Sequence, residues 1–118
     1  MLQILGQTEG NLIATRATGN LTEADYDKLL PLLNNIVEKH KKIRWYFEME
    51  GFEGWKPKAF WEDLKFDVQH ANKFEKVAMV GDEKWEDWMT DLMKPFTSAE
   101  VKFFEINHAS EGQKWIEK

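Results

Sequence analysis

Between Ile43 and Met49 the chain alternates strictly, and few folds accept such a segment. Ile43, Trp45, Phe47 and Met49 fall on one side, and Arg44, Tyr46, Glu48 and Glu50 on the other. A period of two means a strand with one dry face and one polar, partly open face. The second constraint is Lys76-Val77-Ala78-Met79-Val80, a continuous apolar run of the kind found in a strand buried on both faces. These two strands are separated by a helical stripe from about Lys58 to Asn72, with Phe60, Trp61, Leu64, Val68 and Ala71 at helical spacing.

The rest of the chain extends the alternation. Leu2–Gly6 and Leu12–Thr18 flank the turn residues Gln7-Thr8-Glu9-Gly10-Asn11 and read as a hairpin. Thr22 is a suitable N-cap for a helix carrying Tyr26, Leu29, Leu30, Leu33, Ile36 and Val37, and Pro31 is expected to bend it near Asp27. His40, Lys41 and Lys42 suit its negative end. Asp82 can cap a further helix with Trp85, Trp88, Met89, Leu92 and Met93 on one face, which Pro95 ends. Val101–Ile106 is a last strand, and Ala109–Glu117 a terminal helix weakened by Gly112. The order β-β-α-β-α-β-α-β-α predicts an α/β fold: a mainly parallel sheet of four to five strands, with an N-terminal antiparallel strand.

At 118 residues a single domain spanning 1–118 is expected, and 42% hydrophobic with 31% charged residues fits a folded soluble chain. There is no Cys, so disulfides, thiolate metal sites and Cys catalysis are excluded. A net charge of −5 argues against nucleic-acid partners, whose affinity comes mainly from neutralising phosphates with Lys and Arg. Met1–Gly6 lacks the basic lead and long apolar stretch of a signal peptide, and no apolar run approaches a bilayer span, so a cytoplasmic location is expected.

Tests for chemistry are mostly negative. The seven glycines form neither a dinucleotide fingerprint nor a phosphate loop. Ser98 and Ser110 lie outside any nucleophile elbow, and His40, His70 and His108 are too widely spaced to suggest a metal site. Asp67 interrupts an apolar stripe, but no second catalytic partner accompanies it or His108. No enzyme, cofactor or metal is expected.

The aromatic residues carry the positive signal. Ligands of parallel sheets sit outside the carboxyl ends of the strands, and those ends lead here into Phe52 and Trp55, Asp82 and Trp85, and Asn107 and His108. Phe60, Trp61 and Trp88 follow within a turn or so; Trp61, Trp85 and Trp88 also read as ordinary core. Gly51-Phe52-Glu53-Gly54-Trp55 is expected to be a surface loop, in which two large apolar residues beside glycine hinges suggest a lid, a membrane-touching tip or a protein contact.

The segment KVAMVGDEKWEDWM, followed by VKFF and HASEGQKWIE, resembles the SpoIIAA-like proteins of the STAS (sulfate transporter and anti-sigma factor antagonist) superfamily. LTEADYDKLLPLL and IRWYFEMEGFEGW fit the same pattern, so the resemblance covers essentially the whole chain. It implies a STAS-type fold, and more distantly resembles lipid carriers of the CRAL-TRIO type, which bind apolar molecules beneath a mobile helix. Anti-sigma factor antagonists are switched by phosphorylation of a Ser or Thr after the third strand. Here Glu50–Pro57 has neither, and none occurs from Glu23 to Trp88, so the switch does not carry over.

The expectation is therefore a non-enzymatic binding domain for an apolar or amphipathic molecule or lipid. Phe52, Trp55, Phe60, Trp61, Trp85 and Trp88 would line it, Gly51 and Gly54 would be the hinge, and Asp67, Asp82 and His108 the candidate polar residues. The alternatives are a STAS-like interaction module, expected as a homodimer anchored by Phe52 and Trp55, and peripheral membrane contact through the same loop.

Overall fold

A computed structural model of the chain describes residues 2–6, 8–19, 23–52, 74–81 and 99–118. They form a five-stranded sheet in the spatial order β1-β2-β3-β4-β5. The strands are β1 (Leu2–Ile4), β2 (Leu12–Gly19), β3 (Ile43–Phe52), β4 (Phe74–Gly81) and β5 (Glu100–Glu105). The first pair is antiparallel and the other three are parallel. Helix α1 spans Glu23–His40; after β5, a 3-10 turn over Ile106–His108 leads into the terminal helix α2, Ala109–Glu117. The sequence thus predicts the sheet and its strand directions correctly. The helices expected over 58–72 and 82–94 lie outside the described residues.

The hairpin closes on a tight tip. Glu9 and Leu12 exchange backbone hydrogen bonds at 3.0 and 2.9 Å around Gly10 and Asn11. Gly10 has a φ of +61°, a conformation that glycine adopts without steric penalty. Thr8 holds the same turn, its Oγ1 accepting from Ala14 N at 2.9 Å. The short β1 is also tied to α1: Asp25 Oδ1 accepts from Leu2 N at 3.0 Å.

Each face of the sheet has its own core. On one, α1 sets Leu29, Leu33 and Ile36 against Ile13, Trp45, Phe47, Val77 and Met79. Leu29, Leu33 and Ile36 are spaced at i, i+4 and i+7, a single stripe along α1. Pro31 lies on the exposed side, and α1 runs through it without interruption. The carbonyl that proline leaves without a donor belongs to Asp27, also exposed, where water can serve it.

On the opposite face, α2 covers Leu12, Ala14, Tyr46, Ala78 and Val80 with Ile116. This corrects the expectation for β3. Its second face is not open, because Tyr46 is 1% exposed and Glu48 7%. An alternating pattern identifies which residues share a face, but whether a helix covers that face depends on packing elsewhere in the chain. A second correction concerns the end of β3. Gly51 and Phe52, expected in a loop, belong to the strand, and Phe52 pairs with Gly19 beyond an irregularity in the β2–β3 register. The ladder offered by β2 extends the strand further than side-chain alternation alone indicates.

Candidate functional site

Arg16, Tyr46 and Glu48 bring the polar chemistry of the described residues to the centre of the sheet. In the parallel register Arg16 lies opposite Glu48, and Tyr46 opposite Ala14 on one side and Ala78 on the other. Side chains at 46 and 48 share a face, and that face is the one α2 covers. A polar group therefore stands beside the buried residues Leu12, Ala14, Ala78, Val80 and Ile116.

Arg16 and Glu48 form a partly buried ion pair. The guanidinium donates from Nε and Nη2 to the same carboxylate oxygen, Oε2, at 3.4 and 3.3 Å. The Glu48 side chain is 9% exposed and that of Arg16 37%. Both contacts are longer than the ~2.7–2.9 Å of a tight charge-assisted bond, so the pair is loose.

Tyr46 differs from these neighbours. Its hydroxyl is fully desolvated and, among the described residues, completes no hydrogen bond. The Gln113 side chain of α2 stands close enough to favour the ionised phenol, without bonding geometry to it. An unsatisfied buried hydroxyl of this kind destabilises a fold by about 1–3 kcal/mol. Burial pushes the phenol above the ordinary 10.0; the Glu48 carboxylate adds to the rise, whereas Gln113 and the Arg16 guanidinium oppose it.

A pH dependence follows. In the unfolded chain Tyr46 ionises near pH 10, whereas in the folded chain it keeps its proton to higher pH. Above about pH 10 the unfolded state therefore binds fewer protons, and stability falls as pH rises. Urea midpoints should decline more steeply above pH 10 for the native chain than for Tyr46→Phe. Parallel curves would show that this phenol does not contribute.

The residues expected from the sequence distribute unevenly. Trp55, Phe60, Trp61, Trp85, Trp88, Gly54, Asp67 and Asp82 lie outside the described residues. Gly51 and Phe52 end β3 at the carboxyl edge. His108 follows β5 at that edge but is exposed, and its Nδ1 faces Glu111 Oε2 at 3.4 Å across one turn. Trp115 is half-buried, tilted against Phe104 at 6.1 Å, with the ammonium groups of Lys76 and Lys102 over its ring at 5.2 and 5.3 Å. Among the described residues no group of three or more His, Asp or Glu is placed to hold a metal, and no helix is long and apolar enough to cross a membrane.

Sequence reasoning overlooked the Arg16–Tyr46–Glu48 cluster. One signal was available: Arg16 is the single charge within Leu-Ile-Ala-Thr-Arg-Ala-Thr, an otherwise uncharged strand. A lone cation there needs a partner, and Glu48 supplies it.

Comparison with known proteins places this geometry in context. The family model described as SpoIIAA-like matches residues 12–117. A solved structure from Shewanella loihica PV-4, described as an uncharacterized protein from the DUF3478 family with a SpoIIAA-like fold, is 28% identical. The two superpose with a TM-score of 0.71 over 98% of this chain and 92% of that one. No curated protein matches the chain.

Proposed function

The chain belongs to the SpoIIAA-like family, and we propose that it is a non-catalytic, cytoplasmic binding domain for an amphipathic small molecule. The observation that carries this reading is the desolvated Tyr46 hydroxyl, unsatisfied among the described residues and set in an apolar sheet face. Small-molecule sites combine mostly apolar walls with a few polar groups that orient the guest. The face under α2 has that composition: Leu12, Val80 and Ile116 are apolar, Ala14 and Ala78 are small, and Tyr46 with the Arg16–Glu48 pair is polar.

The phosphorylation switch of anti-sigma factor antagonists has no counterpart here, because Glu50–Pro57 contains neither Ser nor Thr. A family fold without the switch residue favours constitutive binding over a phospho-controlled exchange of partners. Phe52, Trp55, Phe60, Trp61, Trp85 and Trp88 are proposed as the aromatic wall on the carboxyl-edge side, with Gly54 as its hinge and Asp67, Asp82 and His108 as further polar contacts.

Native mass spectrometry of the purified chain tests the proposal, with a co-purified small molecule as the expected result. Repeated ligand-free spectra of a concentration-independent dimer would favour an interaction module instead. Flotation with liposomes would point to membrane contact.

A further inference from the structure

Resting on that reading, we propose that Tyr46 selects the guest's polar end: its hydroxyl donates to an uncharged acceptor, an ester, ketone or amide carbonyl, and a carboxylate is disfavoured.

Three observations converge on this assignment. The first is the hydroxyl itself. Tyr46 is 1% exposed, and its oxygen completes no hydrogen bond among the described residues. Phenylalanine would fill the same volume without a desolvated polar group, so packing alone gives no reason for the oxygen. Unsatisfied buried groups call for a specific explanation, and a bound partner is one such explanation.

The second is the kind of partner the surroundings accept. The Gln113 side chain stands beside the phenol and favours its ionised form, as a nearby donor does. A donor hydroxyl with such a neighbour suits an acceptor. Among the described residues, the full charges beside the phenol belong to Arg16 and Glu48, which are already paired through Glu48 Oε2. An incoming carboxylate would meet Glu48 with the nearby cation already engaged, and burying a charge without its own partner is strongly unfavourable. A carbonyl brings no net charge.

The third is shape. In register with Tyr46, the two neighbouring strands carry Ala14 and Ala78. These small side chains flank the ring, while Val80 and Ile116 supply apolar surface for a short alkyl chain. Access requires α2 to shift from the sheet. Its attachments include Gly112 against Phe104 and Val80, and the bond that Arg44 Nη1 donates to the Ile116 carbonyl at 3.1 Å. Trp115 rides on α2, so its fluorescence reports the movement.

The test uses methyl decanoate and decanoate as probes, titrated into the full chain, Tyr46→Phe and Gln113→Leu at neutral pH. The native chain should bind the ester at least about tenfold more tightly than the acid. Tyr46→Phe should weaken ester binding by about five- to tenfold, the scale of one lost hydrogen bond, while melting no lower than the native chain. Gln113→Leu should weaken it less and retain the preference for the ester. Equal binding of ester and acid, or an ester affinity unchanged in Tyr46→Phe, would overturn the assignment while leaving the binding reading standing. A lower melting temperature for Tyr46→Phe would mean that the hydroxyl is structural, satisfied by ordered water, and would overturn the assignment too. Failure of both probes to bind, combined with ligand-free native spectra, would remove both readings together.

Discussion

Replacing Trp45 with alanine should lower the unfolding free energy by about 3–5 kcal/mol, read as a fall in the urea midpoint at unchanged slope. Trp45 is fully buried at the centre of β3, the middle strand of the sheet. Its ring meets Phe47 edge-on at 5.0 Å and stacks on Phe74 of β4 at 5.8 Å. It also joins two strands by a polar contact, Nε1 donating to the buried Thr15 Oγ1 at 3.0 Å. Alanine removes the ring, opens a cavity between α1 and the sheet, and leaves Thr15 without that donor. Small domains are stable by only about 5–15 kcal/mol, so the loss is a large share of the total. Trp45→Phe separates the contributions. It keeps an aromatic ring against Phe74 and loses the indole N–H, so a smaller loss, near 1–3 kcal/mol, is expected. An alanine variant within about 1 kcal/mol of the native chain would show that the core is not centred on this residue.

Trp45 also marks how far the fold can be read from the sequence. The alternation Ile43, Trp45, Phe47, Met49 identifies a buried face correctly, and all four are at most 4% exposed. The unbroken run Val77–Val80 identifies a strand covered on both sides, and all four of its residues are buried. Both signals are local: neighbouring side chains within one strand disclose the period and the environment together. What escaped is non-local. Tyr46 and Glu48 have the same alternation as any half-exposed strand, and among the described residues it is α2, about 60 residues later in the chain, that packs over the face at Tyr46. The Arg16–Glu48 pair depends on the register of two strands 32 residues apart, which alternation does not specify. The side-chain pattern predicts a loop at Phe52 because Gly51 interrupts it, although the backbone pairing to Gly19 is indifferent to side chains. By helix propensity Gly112 is a weakness in α2, whereas its lack of a side chain is what lets α2 approach the sheet.

Gly112→Leu should therefore destabilise the chain by up to about 3 kcal/mol, at the upper end for overpacking, despite the better intrinsic helix propensity of leucine. A Cβ at this position would lie 3.0 Å from Phe104 Cδ2, 3.3 Å from Phe104 Cγ and 3.3 Å from Val80 Cγ2. The ring of Phe104 is partly exposed and can yield, but Val80 is fully buried in β4 and cannot. Gly112→Ala is the informative neighbour. Its gain of up to about 1 kcal/mol in helix propensity opposes a clash confined to one atom, so the net change should be small. Leucine extends the collision past what Phe104 can absorb, and α2 must lift from the sheet. Amide exchange should accelerate in α2 while β3 and β4 retain protection, and Trp115 emission should shift to the red. Lifting α2 also rehydrates Tyr46, so the steeper loss of stability above pH 10 should disappear in this variant. A leucine variant with native α2 protection and the native alkaline profile would mean that Gly112 does not set the docking of α2. The two readouts link the close contact at Gly112 to the desolvation of Tyr46, because the same helix position creates both.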